Sequence, residues 1–146
     1  MKALKIALAC DHAGFEIKKI IVEYLINQNY DIKDFGTNSS ESCDYPDFAH
    51  PLALAVESKQ CDFGITICGS GNGINMAANK HQAIRSALCW KAEIAKLARQ
   101  HNNANVCAIP GRYVGNNEAI EIVNVFLTTD FEGGRHIARI NKIPVI

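Results

Sequence analysis

Apolar and polar positions follow two different patterns along the chain. Short apolar runs at 3–10, 63–68 and 104–111 are typical of strands buried on both faces of a sheet. The segments at 15–27 and 91–101 instead repeat their apolar residues at helical spacing. Such alternation of strands and helices predicts a parallel sheet with helices on both sides.

The rest of the chain continues this alternation. Together the segments predict an α/β fold: a three-layer sandwich around a mainly parallel five-stranded sheet. Loops at the carboxyl ends of such strands form the ligand crevice, which here would contain "CDHAG", "CGSGNG" and "PGRYVG". The further strands are predicted at 30–36 and 83–89, and the further helices at 48–59, from 74, at 116–128 and within 132–142.

Length and composition narrow the class of protein. A chain of 146 residues predicts one domain, 1–146, and its 48% apolar content allows a real core. Fifteen basic residues balance fifteen acidic ones, so nothing indicates a nucleic-acid partner. No apolar run reaches the length of a membrane span, and no signal peptide is evident, so we expect a cytoplasmic protein. Its six cysteines form no C-x-x-C pair and are expected to be free thiols.

The most informative stretch is "TICGSGNGINMAANK" at 66–80. Gly69, Gly71 and Gly73 leave the backbone uncovered, so their N–H groups can converge on one anion at a helix N-terminus. A tight turn that binds nothing is an equally good explanation of the glycines alone. Ile74 occupies the place where a Walker A loop, a dinucleotide fingerprint or a cysteine-phosphatase loop needs Gly, Ala or Arg.

Cys68 adjoins this glycine loop. An anion-binding environment favours the thiolate, which can act as a nucleophile or as a general base. An adjacent oxyanion site is what an enolate intermediate needs. The Ser70 hydroxyl could move a proton between neighbouring oxygens. The residues thus indicate either nucleophilic or proton-transfer chemistry at Cys68.

Three further polar clusters are candidates for a site, although each alone has a plain explanation as a cap, a helix end or a surface ion pair. Guanidinium groups suit a small phosphorylated substrate, and a histidine suits acid–base work. His50 and His81 have no such neighbours, and Trp90 is expected in the core. The clusters are Asp11 with His12, His101 with Asn102, and the arginines Arg112, Arg135 and Arg139.

Five motifs, "ACDHAGFEIK", "DYPDFA", "CGSGNGINMAANK", "RQHNNANV" and "EGGRHIARI", resemble ribose-5-phosphate isomerase type B. That family belongs to a sugar-phosphate isomerase superfamily with the galactose-6-phosphate isomerase subunits. The resemblance covers nearly the whole chain. It implies a Rossmann-like fold and a homodimer or dimer of dimers whose active sites lie at the subunit interface. It also implies interconversion of D-ribose 5-phosphate and D-ribulose 5-phosphate through a cis-enediolate, with no metal and no cofactor.

The resemblance assigns roles by position. Cys68 matches the base that removes the C2 proton, because 72–80 lacks the acid that other members of the family use. The Gly69–Gly73 backbone matches the anion hole, and the tail at 132–146 is expected to contribute phosphate contacts and dimer packing. Catalytic roles fall on Cys68, Ser70, His101 and Asp11, the last two in ring opening. Substrate binding falls on Gly69, Gly71, Asn72 and Gly73, on Tyr45 and Asn102 for the sugar, and on His12, Arg112, Arg135 and Arg139 for the phosphate, with His136 a weaker candidate.

Two alternatives stay open. The same chemistry could act on a six-carbon phosphate, such as allose or galactose 6-phosphate. A protein that binds sugar phosphate without turnover would need the arginines and the glycine loop, but no base at Cys68. A thiol redox enzyme or a phosphatase is disfavoured by the spacings above.

Overall fold

The structure is a computed structural model that describes residues 2–146. One five-stranded sheet runs through it, with strand order β2-β1-β3-β5-β4, and every strand pairing is parallel. This confirms the predicted fold class. The strands are β1 (Lys5–Cys10), β2 (Asp31–Asp34), β3 (Phe63–Cys68), β4 (Ser86–Leu88) and β5 (Val106–Pro110).

Helices cover both faces of the sheet. Because side chains alternate along a strand, Ile6 and Leu8 of β1 enter one core cluster, whereas Ala7 and Ala9 enter another. The first cluster contains side chains of the helices at 15–27, 92–102 and 116–128, and the second contains side chains of the helix at 46–57. The helices are α1 (Phe15–Asn27), α2 (Pro46–Glu57), α3 (Asn72–Ala78), α4 (Ala92–Asn102), α5 (Asn116–Thr128) and α6 (His136–Ile140), and a short 3-10 turn spans His12–Gly14.

Three elements, α1, β3 and α5, begin and end where the sequence pattern predicts, but β4 and α2 differ. β4 covers only 86–88, because Arg85 leaves the strand ladder and its main-chain N–H donates to the Asn105 side chain. α2 begins at Pro46, so Pro51 lies in its second turn and not in its first. There the ring removes a main-chain donor that the helix would otherwise use.

The prediction that Trp90 belongs to the core is wrong. Trp90 is 49% exposed, whereas Phe126 is fully buried. Trp90 lies two residues after β4, an outer strand with one neighbour, so no further strand covers the indole from the far side in the described part of the chain. No helix within 2–146 combines the length and apolar character needed to cross a bilayer.

Candidate active site

Polar candidates collect at two opposite edges of the sheet. We call the edge formed by the carboxyl ends of the strands the upper edge, and the edge formed by their amino ends the lower edge. The loops after β1, β3 and β5 meet at the upper edge. There the Asp11 N–H donates to the Ile67 carbonyl, and the Arg112 N–H donates to the Gly69 carbonyl. These bonds tie the three loops into one surface.

The glycine loop joins β3 to α3 at the upper edge. Gly71 caps α3 in the left-handed region, with φ +76°, and an added Cβ there would lie 2.5 Å from a Leu88 methyl group. Only glycine therefore fits this position without strain. Among residues 2–146, no main-chain carbonyl accepts from the N–H groups of Ser70, Gly71 and Gly73, while the Asn72 N–H donates to Ser70 Oγ at 3.3 Å. Free N–H groups at a helix start can hold an oxyanion.

Cys68 ends β3 at the base of this loop. The residue is 5% exposed and packs among apolar neighbours that include Ile74 and Ala108. A hollow of about 590 Å³ beside the loop is lined by Ser70 and Asn72 and not by Cys68. In a single chain the Cys68 thiol is thus covered.

A second thiol, Cys10, ends the neighbouring strand β1. It is fully buried, and this burial raises its pKa to about 12. At neutral pH it therefore stays protonated and is a poor base. Of these two thiols at the upper edge, Cys68 is the candidate for acid–base work.

Asp11 and His12 are oriented by main-chain bonds. Asp11 Oδ1 accepts from the N–H groups of Ala13 and Gly14, which fixes the carboxylate as the cap of the 3-10 turn. Asp11 therefore caps the 3-10 turn, as the sequence suggested, and at the same time lies at the upper edge. His12 Nδ1 accepts from the Cys43 N–H at 3.3 Å. The neutral ring consequently carries its proton on Nε2, where it can donate to a phosphate or hydroxyl oxygen.

Two larger side chains lie over the glycine loop. The Tyr45 ring is so close to Gly73 that an added Cβ would overlap its Cζ atom. The Arg112 guanidinium lies 3.2 Å from where a Cβ of Gly69 would be. Gly69 and Gly73 thus make room for an aromatic ring and a cation beside the loop. Arg112 can place positive charge next to a bound anion.

The other candidates lie at the lower edge. α4 runs back from the upper edge and ends at Asn102, next to the start of β5, and the Asn102 carbonyl accepts from Arg85 Nε at 3.1 Å. The tail returns to this point, because the Glu132 N–H donates to the Gln100 carbonyl. His136 stacks on His101 with ring centroids 4.5 Å apart. This segment also contains Arg135 and Arg139, which are exposed.

The candidates at the upper edge and those at the lower edge are separated by the length of the strands. Cys68 pairs with Pro110 at the end of β5, whereas Asn102 lies before its start at Val106. A five-residue strand is about 17 Å long. One sugar phosphate cannot span that distance within one chain. The predicted catalytic set, which includes both Cys68 and His101, comes together only if two chains meet upper edge to lower edge.

The fold also brings together residues that the sequence pattern left apart. His50 Nδ1 lies 2.8 Å from His81 Nε2, and His81 faces Glu57 at 3.6 Å. The prediction that these histidines have no polar neighbours is therefore wrong, since α2 and the turn before β4 meet only in three dimensions. Glu132 lies between His101 and His136. Glu132 precedes α6 and is separated from it by Gly133 and Gly134, both at positive φ, so helical spacing does not produce this contact and the sequence pattern gave no signal for it.

Comparisons with known proteins agree with this fold. The family model described as Ribose/Galactose Isomerase matches residues 6–143. Ribose-5-phosphate isomerase B of Escherichia coli K12 is 46% identical over 142 residues, which cover 97% of this chain and 95% of that protein.

Solved structures extend the comparison to three dimensions. A ribose 5-phosphate isomerase from Thermotoga maritima superposes with a TM-score of 0.97 at 47% identity, covering 99% of this chain and 100% of the other. The Mycoplasma genitalium ribose-5-phosphate isomerase B, solved with bound ribulose-5-phosphate, gives a TM-score of 0.93 at 45% identity, covering 98% and 95%. On the match of sequence and fold over nearly its whole length, this chain belongs to the ribose/galactose isomerase family.

Proposed function

We propose that this protein interconverts D-ribose 5-phosphate and D-ribulose 5-phosphate through a cis-enediolate. The observation that carries the proposal is the position of Cys68 beside the free main-chain N–H groups of the glycine loop. The relatives named for this activity, one of them with bound ribulose-5-phosphate, support the choice of substrate.

The proton transfer follows from that arrangement. The Cys68 thiolate takes the proton from C2 of the open-chain aldose, and negative charge develops on the oxygen of C1. The N–H groups of Ser70, Gly71 and Gly73 stabilise this charge, which is worth several kcal/mol in a site that excludes water. The Cys68 thiol then returns the proton to C1, while the Ser70 hydroxyl carries the proton between the two oxygens. No atom is gained or lost.

Ribose 5-phosphate enters the site as a furanose ring, so an acid–base step that opens this ring precedes the proton transfer at C2. His101 opens the furanose by moving the hydroxyl proton of C1 to the ring oxygen, with the Asp11 carboxylate holding the sugar. Tyr45 and Asn102 contact the sugar. His12 Nε2–H, Arg112, Arg135 and Arg139 hold the phosphate, for which forked guanidinium donors are suited.

The proposal requires a homodimer or a dimer of dimers. The upper edge of one chain supplies Cys68 and its loop, and the lower edge of its partner supplies His101, Asn102 and the tail arginines. The tail at 132–146 is then part of both the site and the interface. The rest of 1–146 forms the single domain that positions them.

A substrate assay decides between this proposal and its close alternative. Purified protein is given ribose 5-phosphate, allose 6-phosphate and galactose 6-phosphate, and ketose formation is followed. We expect the highest kcat/KM with ribose 5-phosphate. Turnover of a hexose phosphate alone would move the activity to a longer substrate. Binding of all three without turnover would identify a sugar-phosphate-binding protein.

Isotope exchange separates the base from the ring-opening residue. Ribulose 5-phosphate cannot close a furanose ring, because its O5 is phosphorylated, so exchange of its C1 proton with D2O needs only the base. We expect His101→Asn to retain this exchange and to lose turnover of ribose 5-phosphate. Cys68→Ala should lose both by about 10²–10⁴-fold while still binding the substrate. Full exchange in Cys68→Ala would remove the proposed base.

A further inference from the structure

A cavity of about 490 Å³ lies beside β4, the outer strand of the sheet, and its wall includes the turn after α3 and residues 143–145. Pockets of about 300–1,000 Å³ are typical of sites for small ligands. The Val145 N–H donates to Gln82 Oε1 at 3.0 Å, so a single chain supplies both sides of this cavity. We call it the β4 cavity.

The charged residues on the wall of the β4 cavity are cations. Lys80 and Arg85 line it, and no aspartate or glutamate does. Within residues 2–146, neither cation forms an ion pair with a carboxylate. His81 also lines the cavity, but its two ring nitrogens already face His50 and Glu57. The wall therefore has unneutralised positive charge at Lys80 and Arg85.

The Arg85 guanidinium is held in place on one side only. Its Nε donates to the carbonyls of Asn102 and Asn103 at 3.1 and 3.0 Å, which fixes the plane of the planar fork. In the described part of the chain, no acceptor lies within hydrogen-bond reach of its two terminal amino groups. Burial lowers the pKa of this guanidinium. A cation that is withdrawn from water without a partner costs free energy, which a bound anion would offset.

Arg99 shows how this fold treats an arginine that serves structure alone. Its Nη1 donates to the Asn103 side chain and to the Ala104 carbonyl, and its Nε donates to the Thr129 carbonyl. The guanidinium also lies 4.8 Å from the centre of the Phe63 ring. Protein groups thus occupy both sides of the Arg99 fork, whereas the outer side of the Arg85 fork stays available to a ligand.

The remaining wall of the β4 cavity limits the kind of anion. Much of it is apolar, so a sugar with a hydroxyl on most carbons is poorly matched there. Of the residues proposed above to bind the sugar phosphate, only Asn102 lines this cavity. The apolar lining residues are Ile84, Ala87, Ala104, Ile143, Pro144 and Val145.

We propose that the β4 cavity binds a small organic anion, a carboxylate or phosphate monoester attached to an apolar body. Arg85 and Lys80 hold the charged group, for which the free side of a guanidinium fork is suited. The apolar body packs against the segment 143–145. This inference does not depend on the isomerase function proposed above.

Calorimetric titration with defined probes tests binding. Phenyl phosphate and benzoate carry both parts of the expected ligand, inorganic phosphate lacks the apolar body, and benzyl alcohol lacks the charge. Saturating ribulose 5-phosphate is present throughout to fill the proposed substrate site. We expect phenyl phosphate or benzoate to bind once per chain, and the two incomplete probes to bind about tenfold or more weakly. Absence of saturable binding by both complete probes would overturn the proposal.

Matched variants locate the bound probe. Arg85→Gln and Lys80→Gln should each weaken its binding by about tenfold or more. Lys80 is exposed, so its variant is expected to fold even if Arg85→Gln does not. Lys96→Gln removes an exposed lysine of α4 that does not line the cavity, and Arg139→Gln removes a proposed phosphate ligand of the substrate site. Both should bind the probe as the parent does.

Two results would assign the probe elsewhere and overturn the proposal. One is unchanged affinity in Lys80→Gln together with weaker binding in Arg139→Gln. The other is displacement of the probe by ribulose 5-phosphate, which would place both molecules in one site. A protein inactive on every sugar phosphate would contradict the proposed function, while the titration of Lys80→Gln against Lys96→Gln would still decide the cavity.

Discussion

At the scale of single residues, an ion pair between the buried Lys18 and the partly exposed Asp34 holds the segment after β2. Lys18 is 1% exposed, and its Nζ donates to both oxygens of Asp34 and to the Thr37 carbonyl at 2.6–2.9 Å. Asp34 also accepts from the Gly36 N–H. In turn, the Thr37 N–H donates to the Cys10 carbonyl at the end of β1. The pair therefore fixes a loop beside the residue that precedes Asp11.

The neighbouring lysines offer a matched test of this pair. Lys18→Met leaves the buried Thr37 carbonyl without its donor, while the partly exposed Asp34 carboxylate keeps access to water, so we expect the free energy of unfolding to fall by about 1–3 kcal/mol. Lys19 forms an exposed pair with Glu16, and Lys19→Met should change it by less than about 0.5 kcal/mol. Urea titration measures both. Equal effects would show that burial of the Lys18 pair does not matter.

At the scale of elements, the connection between β3 and α3 does two jobs. It turns the chain from the sheet into a helix, and it leaves N–H groups uncovered at the helix start. Gly71 serves the turn through its positive φ, while Gly69 and Gly73 make room for Arg112 and Tyr45. A tight turn and an anion site are thus compatible in one loop, so the glycines alone could not decide between them.

Substitution of Gly71 tests this element. Gly71→Ala forces a Cβ onto Leu88 and the backbone of Pro110 at a left-handed φ, so we expect a stability loss of about 2–4 kcal/mol. Its folded fraction should also lose turnover of ribose 5-phosphate. Gly115→Ala is the control, since Gly115 has φ −78° and no atom within 4 Å of an added Cβ, and should cost less than about 1 kcal/mol. Calorimetry and the isomerase assay give the two readouts. Unchanged stability and turnover in Gly71→Ala would contradict the expectation.

At the scale of the whole molecule, the parallel sheet separates the two groups of candidates. A helix that follows a strand of a parallel sheet runs back to the amino edge, so His101 at the end of α4 is carried away from Cys68 at the end of β3. Under the proposed function, each chain then has two incomplete half-sites. Association of two such chains would complete them, and this is the physical reason for proposing that the sites are shared.

Mixing inactive variants tests shared sites directly. Cys68→Ala and His101→Asn chains are each inactive alone under the proposal. In a mixed dimer, one site receives both lesions and the other receives none, so random exchange should restore about one quarter of parent activity. Co-refolding followed by the ribose 5-phosphate assay measures it, with a mixture of Cys68→Ala and Cys68→Ser chains as control. Lack of recovery in verified mixed dimers would place the whole site within one chain.

The sequence by itself determined the family, the order of elements and the parallel sheet, because hydrophobic periodicity and local motifs are properties of neighbouring residues. It identified α1, β3 and α5 to the residue, and it identified the glycine loop. Tertiary structure alone decided which distant side chains meet, such as His50 with His81, or Lys18 with Asp34. It also decided that Cys68 and His101 lie at opposite edges, since that separation depends on the direction in which each helix crosses the sheet.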